Sequence, residues 1–159
     1  MPNWCMNTLT ISHPDPAMME KARQAWNDGK FLSTFVPEPN HEGYMNCEIK
    51  EGMPEWWTWR LANWGTKWEV SGEPCEIVDG EIKVVFDSAW SPPINAYESM
   101  TEQGFEVTAY YFEPGCDFCG RYANGFDDCY TVSDRDFPQD VDDEMGITES
   151  MQEYWDEQA

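Results

Sequence analysis

Cysteines, carboxylates and tryptophans are the three residue types in this chain that could carry chemistry. There are six cysteines: Cys5, Cys47, Cys75, Cys116, Cys119 and Cys129. Cys116-Asp117-Phe118-Cys119 is a CxxC, and Cys129 follows it after nine residues. A tetrahedral zinc site would need a fourth ligand from Cys5, Cys47, Cys75 or water. The second knuckle of a zinc ribbon is missing, and His13 and His41 lie far away in sequence. A thioredoxin-like role would need the motif at a helix N-terminus to lower the thiol pKa, and here it opens a hairpin. Cys119 and Cys129 fall nearly opposite each other across Asn124-Gly125, which brings a disulfide within reach in an oxidising buffer. A metal- or thiol-dependent module centred on Cys116, Cys119 and Cys129 therefore stands as one alternative. No metal and no cofactor is the primary expectation.

Carboxylates are the dominant feature. With 31 acidic and 9 basic residues the formal net charge is −22. From Asp127 to Ala159 twelve acids face a single base, Arg135. Nucleic-acid binding draws most of its affinity from Lys and Arg on phosphates, so direct DNA or RNA binding is excluded as the first reading. An anionic membrane surface repels the chain for the same reason. A basic protein partner is attracted, with its association steered at long range. Asp127, Asp128, Asp134, Asp136, Asp140, Asp142, Asp143 and Glu144 are the candidate partner-binding residues. They are interleaved with Phe126, Tyr130, Phe137, Val141 and Met145, a pattern that implies folded presentation. The plainer alternative is a solubilising acidic tail.

Catalysis has little support. There is no GxSxG, no Gly-rich phosphate loop and no nucleophile beside an evident base. Among so many carboxylates an acid/base pair arises by chance, and the chain reads as a non-enzyme.

The tryptophans set the architecture. Five of the nine lie in Pro54–Glu69, PEWWTWRLANWGTKWE. Pro54 suits a first helical turn, and Trp57, Leu61 and Trp64 recur at i, i+4 and i+7. An aromatic platform for bases or sugars is conceivable; aromatics at this spacing more commonly form a core.

The remaining elements are those that must position these residues. Asn3–Ser12 alternates as a strand. Asp15-Pro16 starts a helix with the stripe Met18, Ala22, Ala25 and Trp26, ending at Gly29. Phe31–Val36 reads as an apolar connection and Asn40–Gly52 as a polar insertion loop. Lys67–Val78 is expected as a strand, followed by an Asp79-Gly80 hairpin turn. Ile82–Trp90 alternates cleanly as a further strand. Ser91-Pro92-Pro93 opens a helix buried through Ile94, Tyr97 and Met100, and Gly104 stops it. Phe105–Phe112 is a strand, and Phe118–Ala123 with Phe126–Val132 forms an Asn-Gly hairpin. Thr148–Glu157 carries Met151, Tyr154 and Trp155 on a short terminal helix. The class is α+β: a ferredoxin-like (βαββαβ) antiparallel sheet with helices on one face, an inserted Trp-rich helix and an extra C-terminal hairpin. Residues 1–132 would form this domain and 133–159 an acidic extension.

Four motifs, MPNWCMNTLTI, ANWGTKWE, FDSAWSPP and YFEPGCDFCG, occur in this order. Together they resemble the YubB-like ferredoxin-like domain family of phage and conjugative-plasmid proteins of unknown function. The resemblance covers most of Met1 to about Val132 (span from element lengths,). It implies the fold and a mobile-element origin, and supplies no catalytic residues. In such a protein the acidic side would bind a basic host protein, for instance a nucleic-acid-binding defence protein, as a DNA mimic that inhibits it. No signal peptide or membrane span is evident in the sequence, so a cytoplasmic location is expected.

Overall fold

A computed structural model describes residues 3–39 and 55–159; the insertion expected at Asn40–Gly52, Cys47 and the helix start at Pro54 lie outside the described residues. In chain order the elements are β1 (Trp4–Ser12), α1 (Pro16–Asn27), α2 (Phe31–Phe35), α3 (Glu55–Asn63), β2 (Ile82–Ala89), α4 (Ile94–Glu102), β3 (Glu106–Glu113), β4 (Phe118–Ala123) and β5 (Phe126–Thr131). A 3₁₀ turn (Val132–Asp134), α5 (Gln139–Met145) and α6 (Ile147–Gln158) complete it.

The five strands form one sheet in the order β2-β1-β3-β4-β5, every neighbouring pair antiparallel. β2 and β3 both run opposite to β1, so they are parallel to each other. The β2-α4-β3 crossover thus straddles β1, the split β-α-β unit of a ferredoxin-like α+β fold. Strict alternation assigns the two faces. Cys5, Asn7, Leu9 and Ile11 of β1, Ile82, Val84 and Phe86 of β2, and Val107 and Ala109 of β3 are buried on the first face. From Leu9 onward they join Ala22, Trp26, Trp64, Tyr97 and Met100 in the main core. Asp15 caps α1 by accepting from the Ala17 N–H at 2.9 Å, as its position before Pro16 implies.

Three expectations change. Lys67–Val78 is irregular rather than a strand, with a single bridge from Val78 to Glu81 across the Asp79-Gly80 turn. Its polar and buried groups serve α1 and α2 instead. The Glu69 carboxylate accepts from Leu32 N (2.6 Å) and Ser33 N (2.9 Å) at the start of α2. Asn27 on α1 accepts from Cys75 N at 2.8 Å. Phe31–Phe35, expected as a connection, is the short helix α2 that these bonds hold. Third, α5 precedes the expected terminal helix, and both pack on the second face of the sheet. There Val132, Val141, Ile147 and Trp155 bury against Phe112 and Cys119, whose side chains face away from the main core. The helices α1 and α4 cover the first face as anticipated; α5 and α6 add a second layer over β3 and β4.

Candidate functional site

The eight expected partner-binding carboxylates divide by register and by hydrogen bonding. Asp127 and Asp128 are neighbours on β5 and so project to opposite faces. Asp127 lies on the first face, where the buried Tyr111 hydroxyl donates to its Oδ1 at 2.5 Å. Burial raises the Asp127 pKa, and the tyrosine bond opposes that rise. Tyr111 itself is pushed well above the ordinary phenol range by burial and then by Asp127. Asp128 lies on the second face opposite Arg121 and is exposed.

On α5 three acids are engaged within the fold. Asp140 accepts from Tyr110 Oη at 3.2 Å and lies 3.6 Å from Arg121 Nε. Glu144 pairs with Lys83 of β2 at 3.2 Å, tying α5 across the sheet. Asp142 accepts from Thr148 N (2.7 Å) and Thr148 Oγ1 (2.6 Å), capping the otherwise uncapped start of α6. Asp143 accepts only from Gln139 of its own helix, and Asp134 and Asp136 are exposed with no hydrogen bond or ion pair among the described residues. Glu149 and Glu153, absent from the expected set, are exposed on α6, whose buried side is Ile147, Met151 and Trp155. The i, i+4, i+8 spacing of those three apolar residues places both glutamates outward, which was readable from the sequence. Arg135, the one base in this segment, stacks on Trp155 with its guanidinium 4.5 Å from the ring centroid. It holds the 3₁₀ turn to α6, and among the described residues Asp134, Asp136, Asp143, Glu149 and Glu153 form no ion pair.

The cysteines do not converge. Register pairs Gly120 with Cys129 and Cys119 with Tyr130, so Cys119 and Cys129 point to opposite faces of the sheet. The disulfide expected between them has no geometry here. Cys119 is fully buried in the second-face cluster, and burial pushes its thiol up to about 11. Cys116 is exposed in the turn after β3, where Asn3 Nδ2 donates to its sulfur at 3.4 Å. Among the described residues no three His, Cys, Asp or Glu side chains are grouped as metal ligands.

The tryptophan stretch is part core, part surface. Trp59 and Trp64 are buried, 5.8 Å apart edge to face, and Trp64 Nε1 donates to Val36 O. The helix therefore buries Trp59 rather than the expected Trp57, which is half-exposed. Lys67 Nζ sits over three rings, 5.5 Å from Trp57, 4.6 Å from Trp68 and 5.0 Å from Trp90. Arg60 lies over Trp56 and Trp64 and pairs with Glu38 at 2.7 Å. The protein's own cations thus occupy one face of each of these five rings, while Trp4, packed on Trp68, is exposed without one among the described residues.

Residues 63–156, more than half of the chain, match the family model described as ferredoxin-like domain in Api92-like protein. The match runs from the end of α3 into α6, so it takes in strands β2 to β5 and the acidic second layer, while β1 and α1 lie before it. Comparison with curated proteins and with solved structures gives no significant match.

Proposed function

The chain belongs to the family of the ferredoxin-like domain in Api92-like protein, and from that premise we propose that it works without catalysis, by binding a basic protein on its acidic second layer. The family description supplies a fold and no activity, so the reading rests on the site. The observation that carries it is the sorting of carboxylates in that layer. Asp140, Asp142 and Glu144 are engaged in the fold, while Asp128, Asp134, Asp136, Asp143, Glu149 and Glu153 are exposed on helices, turn and strand anchored by Trp155 and Val141. Charge fixed on packed elements costs a partner less ordering than charge on a loose tail. A basic nucleic-acid-binding protein fits such a surface, with the carboxylates standing where phosphates would. The resemblance to proteins of phages and conjugative plasmids gives this a setting, in which the partner is a host defence protein and the outcome is its inhibition. No helix among the described residues is long and apolar enough to cross a membrane.

The test is capture of basic proteins from host lysate on the immobilised chain. Bound protein should be released by salt and by competing duplex DNA. A variant carrying Asp134→Asn, Asp136→Asn, Asp143→Asn, Glu149→Gln and Glu153→Gln should lose the capture. Capture that ignores salt, DNA and these five changes would rule the reading out.

A further inference from the structure

The two edges of the sheet are not equivalent. At the β2 edge, Gly72 lies so close that a Cβ there would come within 2.9 Å of the Val85 carbonyl oxygen, so the irregular segment before the hairpin turn shields it. Among the described residues the β5 edge has no such cover. Val132 N donates to Asp117 O at 3.1 Å, which continues the β4–β5 ladder by one pair. Antiparallel pairs alternate between hydrogen-bonded and open, so Phe126, Asp128 and Tyr130 bond inward to β4. The N–H and C=O groups of Asp127, Cys129 and Thr131 consequently face outward, and no described residue takes them up. Phe126, at the start of the strand, is 76% exposed.

An open edge of this kind is a template for one more strand. A second copy of β5 is a poor occupant, because its own Asp127 and Asp128 would bring like charges together across the pair. A basic strand is favoured by the same two carboxylates, one on each face of the sheet.

We propose that β5 is a strand-addition site for an extended basic segment of the partner protein, with two consecutive Lys or Arg residues set beside Asp127 and Asp128 and an apolar residue beside Phe126. This rests on the acidic-surface reading and specifies how the partner docks. The backbone groups of Asp127, Cys129 and Thr131 supply the hydrogen bonds, and the side chains supply the selection.

The probe is the acetylated, amidated peptide Val-Thr-Val-Lys-Lys-Val-Thr-Val, added to the full chain at low salt. Residue-resolved amide exchange should show the Asp127, Cys129 and Thr131 amides slowed at least about tenfold, with Asp128 and Tyr130 little changed because β4 already protects them. Cys129→Pro deletes one outward N–H and no ladder bond, which an edge strand tolerates. It should leave the unfolding midpoint near that of the parent and weaken the peptide at least about fivefold, a loss on the scale of one net hydrogen bond. Peptide binding without protection of the three amides, or undiminished by Cys129→Pro in a folded variant, overturns strand addition while the acidic-surface reading survives. Absence of peptide binding overturns strand addition as well, and the lysate capture then judges the broader reading separately.

Discussion

The Tyr111 hydroxyl reaches across β4, over Gly120, to donate a 2.5 Å hydrogen bond to Asp127 on the next strand. That reach is allowed only because position 120 has no side chain. A methyl placed there would overlap both the Tyr111 ring and the Asp128 carbonyl oxygen. Gly120→Ala should cost about 2–3 kcal/mol, the range of overpacked sites, seen as a lowered urea midpoint. Tyr111→Phe should cost about 1 kcal/mol, because water can solvate the exposed Asp127 in its place. If Gly120→Ala proved as stable as the parent, the strand-crossing contact would be incorrectly described.

Carboxylates that build the fold should separate from those that only charge it. Asp142→Asn weakens the cap on α6 and should lower stability by about 1 kcal/mol despite reducing the net negative charge. Asp134→Asn and Asp136→Asn remove exposed charge from a chain of net −22 and should leave stability unchanged or slightly raised. Added salt should raise the parent Tm by screening this self-repulsion. Thermal melts of the three variants at low and high salt check all of these outcomes, and a destabilised Asp134→Asn would contradict the assignment.

That division could not be read from the sequence, whereas most of the sheet could. The alternation of β1 and β2, the Asp15-Pro16 helix start and the Asn124-Gly125 turn are local signals, and each lies where its spacing places it. Lys67–Val78 misled because its apolar residues are buried individually. Val70 and Cys75 fill the core from an irregular segment whose Glu69 is committed to α2. Helix α5 was hidden because only Val141 and Met145 mark an apolar side among four acids. Which carboxylates the fold engages depends on which long-range partner reaches each one. Lys83 to Glu144 and Tyr111 to Asp127 are set by packing and strand register, and no local pattern encodes them.

Trp155 anchors the acidic layer through two contacts, apolar burial in the second-face cluster and the Arg135 guanidinium on its ring. Trp155→Ala should cost about 3–5 kcal/mol if the layer and sheet unfold together. Were the layer to open by itself, amide exchange in α6 would accelerate while β1 and β3 stayed protected. Arg135→Ala should be milder, about 1 kcal/mol for a partly exposed cation–π pair. Exchange rates in α6 unchanged by Trp155→Ala would show that the helix is held by something else.

Alkaline pH should loosen the protein through its buried cysteines and tyrosines. Burial raises the pKa of Cys5, Tyr97 and Tyr111, and lifts Cys119 from 9.0 to about 11. Each of these groups is neutral when protonated and is held protonated by the fold. In the unfolded chain the Cys119 thiol loses its proton through pH 9.0, while the folded protein keeps it until about 11. Between those values the native state binds more protons than the unfolded state, so stability falls as pH rises. Below pH 9.0 the contribution of this thiol is complete, and above about 11 it has been lost. The three other groups extend the decline further upward. Urea midpoints measured from pH 7.5 to 11 under reducing conditions should therefore drop progressively above about pH 9, the unfolded thiol value. Cys119→Ala should start from a lower midpoint, because it opens a small cavity beside Phe112, and show a shallower alkaline slope. An identical slope in that variant would assign the loss to the tyrosines and the other buried thiols, Cys5 and Cys75.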